Sequence, residues 1–112
     1  MSVEDEMVVR WNNVFAGASA VVGEESFLTL FESGSVKIER IVSHSHSSPP
    51  GFWYDQTEEE WVILMRGLAT LEFAGNKLIE LKEGDYLVIP PHAKHRVKRT
   101  APETVWLAVH VK

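Results

Sequence analysis

The sequence predicts an antiparallel all-β domain, and three observations support this class. From Ser26 onward, short runs of apolar and β-branched residues alternate with turn residues about every ten positions, which is typical of β-sandwiches and barrels. Apolar residues with helical spacing are nearly absent. The 112 residues, of which 45% are hydrophobic, are enough to form a core of their own.

Each predicted strand is bounded by residues that favour turns. Ser33-Gly34, Gly67, Gly75-Asn76 and Glu83-Gly84-Asp85 separate successive apolar runs, and Gly75-Asn76 is typical of a tight hairpin. No repeat, linker or low-complexity tract divides the chain, so we expect one domain over residues 1–112, with a less regular segment at 1–25. The predicted strands are residues 26–32, 35–46, 58–66, 68–74, 77–82, 85–90, 94–99 and 104–111.

Charge and composition exclude several classes of function. With 16 acidic and 11 basic residues the net charge is −5, which argues against nucleic acid as a partner. The absence of cysteine excludes disulfides, thiolate ligands and a cysteine nucleophile. Residues 1–6 lack the basic and apolar character of a signal peptide, and no apolar run is long enough to span a membrane. We therefore expect a cytoplasmic protein without membrane partners.

Histidines carry the strongest chemical signal. Imidazoles together with a carboxylate suit a divalent metal of borderline hardness. Side chains two apart share one face of a strand, so His44 and His46 should point the same way. His95 lies between charged residues that should face solvent, which predicts that His95 faces inward. Glu60 shares its face with Val62 and Leu64.

Two spaced motifs resemble those of the cupin superfamily. The first pairs His44-Ser45-His46 with Glu60, which is followed by six residues and Gly67; the second runs from Gly84 through five residues to Pro90 and on to His95. The match spans about residues 35–99. The sequence departs from the usual motifs at Ile38, His92 and Arg99, and thirteen residues separate His46 from Glu60 instead of three or four.

The resemblance implies a cupin β-barrel, also described as a double-stranded β-helix or jelly roll. It also implies that His44, His46, Glu60 and His95 hold a divalent transition metal such as Fe, Mn, Ni or Zn. Spacing to Gly67 selects Glu60 over its acidic neighbours. Whether both His44 and His46 bind remains open, and so does a role for His110, which could equally be a core or edge residue.

Three further residues are candidates for substrate binding. Arg40 shares strand parity with His44 and could hold a substrate carboxylate or phosphate, although a buried ion pair is an equal alternative. Trp53 and Tyr54 lie in the long insert and could line or gate the barrel mouth. The alternative for these aromatic residues is a packed loop or a dimer contact.

For function, the sequence supports three hypotheses. The first is a metal-dependent enzyme acting on a small molecule, as a dioxygenase-like oxidoreductase or an isomerase. The second is a non-catalytic module that binds or senses a metal or small ligand; a degenerate domain that acts only through assembly is a third reading. Because Trp61, Ile63 and Met65 form a second apolar face on one strand, we also expect a homodimer.

Overall fold

Eight antiparallel strands make up the part of the protein that the structure describes. The structure is a computed structural model, and it describes residues 8–112. Within that range there is no helix, so the all-β prediction is confirmed, and no helix is available that could span a membrane. The strands are β1 (Glu25–Ser33), β2 (Val36–Ser43), β3 (Glu59–Arg66), β4 (Leu68–Phe73), β5 (Lys77–Lys82), β6 (Tyr86–Ile89), β7 (His95–Thr100) and β8 (Thr104–Val111).

The strands form two sheets that face each other as a jelly-roll barrel. The larger sheet has the order β1-β2-β8-β3-β6, and the smaller has the order β5-β4-β7. Alternate residues of both sheets point inward, as expected for strands with one face on a core. The buried core between the sheets consists of Val62, Leu64, Ala69, Leu71, Leu81, Ile89, Val97, Trp106 and Ala108.

Gly67 allows the chain to pass from one sheet to the other. It joins β3 to β4 with a φ of 94°, a conformation that side chains disfavour. A Cβ built on Gly67 would lie 2.5 Å from the Thr104 hydroxyl and 2.8 Å from the Thr104 Cα. The glycine of the first motif is therefore required by close packing against the start of β8.

Strand β2 ends at Ser43, three residues before the predicted end at His46, so that boundary was wrong. Ser45 has a φ of 52°, which ends the extended conformation. The main chain then bonds elsewhere: the His44 amide donates to the Glu24 carbonyl (3.1 Å), and the Ser45 amide donates to the Ala101 carbonyl (3.3 Å). Strand parity therefore does not extend to His44 and His46.

The insert between β2 and β3 is held along the edge of β7. The Ser48 amide donates to the Val97 carbonyl (2.8 Å), and Tyr54 and His95 exchange two main-chain hydrogen bonds. The Arg96 guanidinium also donates to the Ser48 carbonyl (2.7 Å). These contacts give the segment a fixed position and place Tyr54 beside the inner face of β7.

The N-terminal segment contains no strand between residues 8 and 24, in agreement with the less regular segment predicted there. It lies against the outer face of the larger sheet. Arg40 donates to the carbonyls of Val14 (3.3 Å) and Ala16 (2.6 Å), and the Arg66 guanidinium stacks 4.0 Å from the centre of the Phe15 ring.

Candidate functional site

A cavity of about 100 Å³ opens between the two sheets at one end of the barrel. Apolar side chains from both sheets, including Val62, Leu71 and Ile89, form its deeper wall. A wider groove lined by Phe27, Phe52 and other residues adjoins its mouth. The polar side chains that line the cavity are Glu25, Glu39, Tyr54, Gln56, Glu60, His95 and His110.

His110 bridges two carboxylates on neighbouring strands. Because β8 lies between β2 and β3, the inward side chains of these strands meet, and His110 pairs in register with Glu60. The His110 Nε2 lies 3.5 Å from Glu39 Oε1 and 3.9 Å from Glu60 Oε2. The three side chains are 8–13% exposed. A proton on Nε2 therefore interacts with both carboxylates in a largely desolvated setting.

His95 is held in one orientation. Its Nδ1 lies 2.8 Å from the Ala93 carbonyl oxygen, which can only accept, so Nδ1 carries a proton and Nε2 has the lone pair of the neutral ring. Tyr54 stacks on one side of the imidazole, with 5.3 Å between ring centres, and Phe73 stacks at 5.6 Å. These contacts fix both the ring plane and the tautomer.

Glu25 collects several hydrogen-bond donors at the mouth of the cavity. Its Oε2 accepts from the Ser43 hydroxyl at 2.6 Å, and that hydroxyl accepts from the Trp106 indole at 3.1 Å. Its Oε1 lies 3.3 Å from His46 Nε2, and its negative charge helps to raise the pKa of the nearby Tyr54 hydroxyl. This arrangement holds Glu25 in place at the mouth of the cavity.

The Tyr54 hydroxyl holds its proton strongly. Burial and the nearby carboxylates of Glu25, Glu60 and Glu39 raise the pKa of Tyr54 from 10.0 to about 12. A phenolate there would lose hydration and face like charges, which disfavours ionisation. Tyr54 is therefore a hydrogen-bond donor throughout the neutral range.

The structure brings together only part of the set predicted from the motifs. Glu60 and His95 line the cavity from opposite sheets, and Glu60 Oε1 accepts a hydrogen bond from Gln56 (3.0 Å). His46 lies in the adjoining groove, where it contacts Glu25 and the Gly23 carbonyl (3.1 Å). His44 does not line the cavity, and its Nδ1 is buried without a hydrogen-bond partner among the described residues.

The three candidate substrate-binding residues lie in different parts of the structure. Tyr54 lines the cavity. Arg40 lies on the opposite face of β2 from the cavity-lining Glu39 and Ile41, where it binds the N-terminal segment. Trp53 does not line the cavity either, because its ring faces the Arg96 guanidinium at 5.8 Å. The expectation that Arg40 points inward fails because the even-numbered face of β2 is the outer one.

No group of three or more His, Asp or Glu side chains within residues 8–112 has an arrangement that could hold a metal ion. The donor types of the cavity are those that bind first-row metals, but His44 and His46 do not join Glu60 and His95. The four-residue set implied by the motifs thus does not fit a metal as the side chains are arranged, and no reaction step is assigned to one.

The sequence did not identify four of the polar cavity residues as part of the site. Glu25, Glu39 and Gln56 belong to no motif, and His110 could not be distinguished from a core residue. Strand pairing is the feature that could identify Glu39 and His110, because β8 is hydrogen-bonded to both β2 and β3. Knowing that order would have brought Glu39, His110 and Glu60 together by parity alone.

Comparisons with known proteins agree with this architecture. A cupin domain family model matches residues 38–110. Among solved structures, the chain is similar to a Ralstonia eutropha protein named "putative mannose-6-phosphate isomerase", with 41% identity, a TM-score of 0.87 and coverage of 93% of this chain and 99% of that one.

Two more distant structures share the fold. An RmlC-like cupin from Desulfovibrio desulfuricans has 18% identity and a TM-score of 0.71, with 93% of this chain and 97% of that chain covered. A cupin superfamily protein from Desulfitobacterium hafniense has 18% identity and a TM-score of 0.70, with 83% and 82% covered. No curated protein matches the chain at a significant level.

Proposed function

This chain belongs to the cupin domain family, and from that premise we propose that it is a small-molecule isomerase whose reaction takes place in the barrel cavity. The observation that carries the proposal is the pairing of His95 with Tyr54. His95 has an imidazole nitrogen with a lone pair, and Tyr54 has a hydroxyl that stays protonated and can donate a hydrogen bond. Both side chains line the same cavity. The isomerase name of the similar Ralstonia eutropha protein supports the same class.

The proposed chemistry is a proton transfer between neighbouring carbon atoms of a hydroxycarbonyl compound. His95 Nε2 removes a proton from the carbon beside the carbonyl, and the electron pair of that bond moves toward the carbonyl oxygen. Tyr54 donates to that oxygen as negative charge develops on it. The neighbouring hydroxyl then gives its proton to the former carbonyl oxygen and becomes the new carbonyl, while His95 returns its proton to the former carbonyl carbon. Atoms and electrons therefore balance without a redox partner.

Deuterium exchange tests this proposal directly. The protein is incubated with a panel of aldoses and ketoses in D₂O, and incorporation at carbon is followed by NMR. We expect His95→Gln and Tyr54→Phe each to slow exchange by about 10²–10⁴-fold, the usual contribution of a positioned acid or base. Glu32→Gln, an exposed change on β1, is the control. Exchange that is unchanged in both site variants would contradict the proposal, and binding without exchange would favour a non-catalytic module.

A divalent metal in the same cavity is a second candidate. Two hydrogen bonds favour it: Gln56 donates to Glu60, and His95 donates to the Ala93 carbonyl. Metal ligands are usually oriented by hydrogen bonds of this kind. Glu60 and His95 would hold Fe, Mn, Ni or Zn, and such an ion would supply Lewis-acid chemistry when bound. His44 and His46 would complete the set only by turning toward the cavity.

Elemental analysis of protein purified without chelator tests the metal. Under this second candidate, the wild type retains near-stoichiometric metal, and His95→Ala and Glu60→Gln lose it. His92→Ala is the control, since His92 is exposed and contacts Asp55 at 2.8 Å outside the cavity. Loss of metal in His44→Ala or His46→Ala would show that these residues join the site. Wild-type protein without metal, or full retention in His95→Ala, would exclude this metal site.

We also propose that two copies of the chain associate through the outer face of the larger sheet. That face is apolar, and its exposed members are 43–64% accessible. The whole outer face of the five strands measures roughly 600 Å² in projection, and the N-terminal segment covers the part of it around Arg40 and Arg66. A stable dimer buries about 800 Å² per partner, so the interface would include the exposed part of this face together with surface beside it. The exposed members are Leu28, Phe31, Tyr86, Val88 and Val111.

Light scattering distinguishes this dimer from a monomer. Wild-type protein should have the mass of two chains at micromolar concentration, and Val88→Lys should shift the mass toward one chain. Leu78→Lys is the matched control, because Leu78 is 51% exposed but lies on β5 of the other sheet. A monomeric wild type, or equal effects of both variants, would contradict the proposed interface.

A further inference from the structure

The charged groups of the cavity are unequally distributed. Carboxylates from Glu25, Glu39 and Glu60 line it, whereas no lysine or arginine is among the lining residues of the described chain. The remaining polar groups are two histidines, one tyrosine and one glutamine. A bound molecule therefore meets mostly hydrogen-bond acceptors.

Basic side chains near the cavity already have acidic or carbonyl partners. Lys37 Nζ lies 3.5 Å from Glu39 Oε2, His110 lies between Glu39 and Glu60, and His46 contacts Glu25. Arg40 donates to main-chain carbonyls on the other side of the sheet. An anionic substituent that entered the cavity would have to displace one of these pairs to find a positive charge.

A phosphate group is poorly suited to this environment. Phosphate sites in proteins use arginine, lysine or clustered amide donors, and two negative charges repel strongly when both are withdrawn from water. The Tyr54 hydroxyl responds to the same negative field, since carboxylates contribute to the raised pKa of that side chain. Hydroxyl and amino groups, by contrast, can donate directly to the three carboxylates.

We propose that the cavity selects an unphosphorylated small molecule rich in hydroxyl or amino groups, with its donors on Glu25, Glu39 and Glu60. The inference deepens the proposed isomerase function and rests on the same cavity. The inference excludes mannose 6-phosphate, the substrate in the name of the similar Ralstonia eutropha protein, as the ligand of this cavity. A phosphorylated hexose would place a dianion among carboxylates.

Ligand titrations followed by NMR of the His95 and His110 ring signals test the inference without requiring turnover. The probes are mannose, glucosamine and mannose 6-phosphate. We expect mannose or glucosamine to bind at least tenfold more tightly than mannose 6-phosphate. In Glu60→Gln the ratio of the two dissociation constants should fall several-fold. Glu32→Gln, on the exposed part of β1, should leave that ratio unchanged. Mannose 6-phosphate binding as tightly as mannose, or more tightly, would overturn the inference.

Two paramagnetic nitroxides of equal size and opposite charge give a result even if no sugar binds. The cationic probe should relax the Tyr54 and His95 ring signals several-fold more than the anionic probe, and Glu60→Gln should reduce that difference. Equal relaxation, or stronger relaxation by the anion, would overturn the inference. Because neither measurement uses catalysis, selective binding without deuterium exchange would reject only the proposed reaction.

Discussion

His95 and Tyr54 are joined both through the main chain and through their rings. The Tyr54 amide donates to the His95 carbonyl at 2.7 Å, the His95 amide donates to the Tyr54 carbonyl at 3.1 Å, and the rings stack with 5.3 Å between centres. A residue of the long insert is thereby fixed to a residue of the second motif. The insert supplies part of the cavity wall, and its placement depends on β7.

Titration of Tyr54 provides a pH-dependent prediction. Its pKa of about 12 in the folded protein exceeds 10.0, the ordinary value, so the unfolded chain ionises first as pH rises. The resulting stability is fully present below pH 10 and is lost between about pH 10 and 12. Ultraviolet absorbance of tyrosinate should show a late step that disappears in Tyr54→Phe.

Glu25→Gln should move that late step to lower pH, because it removes a carboxylate that disfavours the phenolate. Glu32→Gln, on the exposed part of the same strand, should leave it in place. A Tyr54 step that is already complete by pH 10 in the wild type would contradict the described environment.

Two glycines with similar backbone conformations should respond differently to alanine. Gly67 and Gly75 have φ values of 94° and 87°, but only at Gly67 would the added Cβ meet another group within 4 Å. Gly75→Ala should cost about 1 kcal/mol from backbone strain, and Gly67→Ala should cost at least about 2–3 kcal/mol because Thr104 must also move. Urea denaturation measures both; equal losses would refute the packing argument.

Removing His110 should destabilise the protein through the carboxylates it leaves behind. His110→Ala exposes Glu39 and Glu60 to each other without the bridging imidazole, and we expect a loss of about 1–3 kcal/mol. Adding Glu39→Gln to that variant should restore part of the stability. A double-mutant cycle by thermal unfolding measures the coupling, and strictly additive losses would show that the three groups do not interact.

Trp53→Ala should leave the protein folded. The Trp53 side chain is 36% exposed and faces Arg96, outside the cavity lining. We expect a stability loss of at most about 2 kcal/mol and a folded β-sheet circular dichroism spectrum. Outright unfolding would show instead that Trp53 is part of the core.

Much of the fold could be predicted because alternation and turn residues act locally. All eight strands were placed, and the Glu60 and His95 orientations follow from parity within single strands. The end of β2 could not be predicted, since it depends on hydrogen bonds from His44 and Ser45 to chain segments far away in sequence. The inward assignment of Arg40 was wrong because it was taken from His44 and His46, which lie beyond the end of β2.

The remaining cavity residues depend on which strands are neighbours. Glu39 reaches His110 because β8 inserts between β2 and β3, an order that no local pattern encodes. Glu25 reaches Tyr54 because the insert follows the edge of β7 while β1 pairs with β2. The sequence motifs therefore identified Glu60 and His95, whereas the positions of Glu25, Glu39 and His110 in the cavity depend on which strands pair.

The central claim is that the barrel cavity is the functional site, and a crystallographic screen of small hydroxylated and amino fragments tests it most directly. We predict that bound fragments occupy the cavity, with donors on Glu60 or Glu39 and contacts to Tyr54 and His95. Fragments that collect only on outer surfaces, such as the apolar face around Val88 or the groove beside Phe52, while the cavity binds none, would contradict the account.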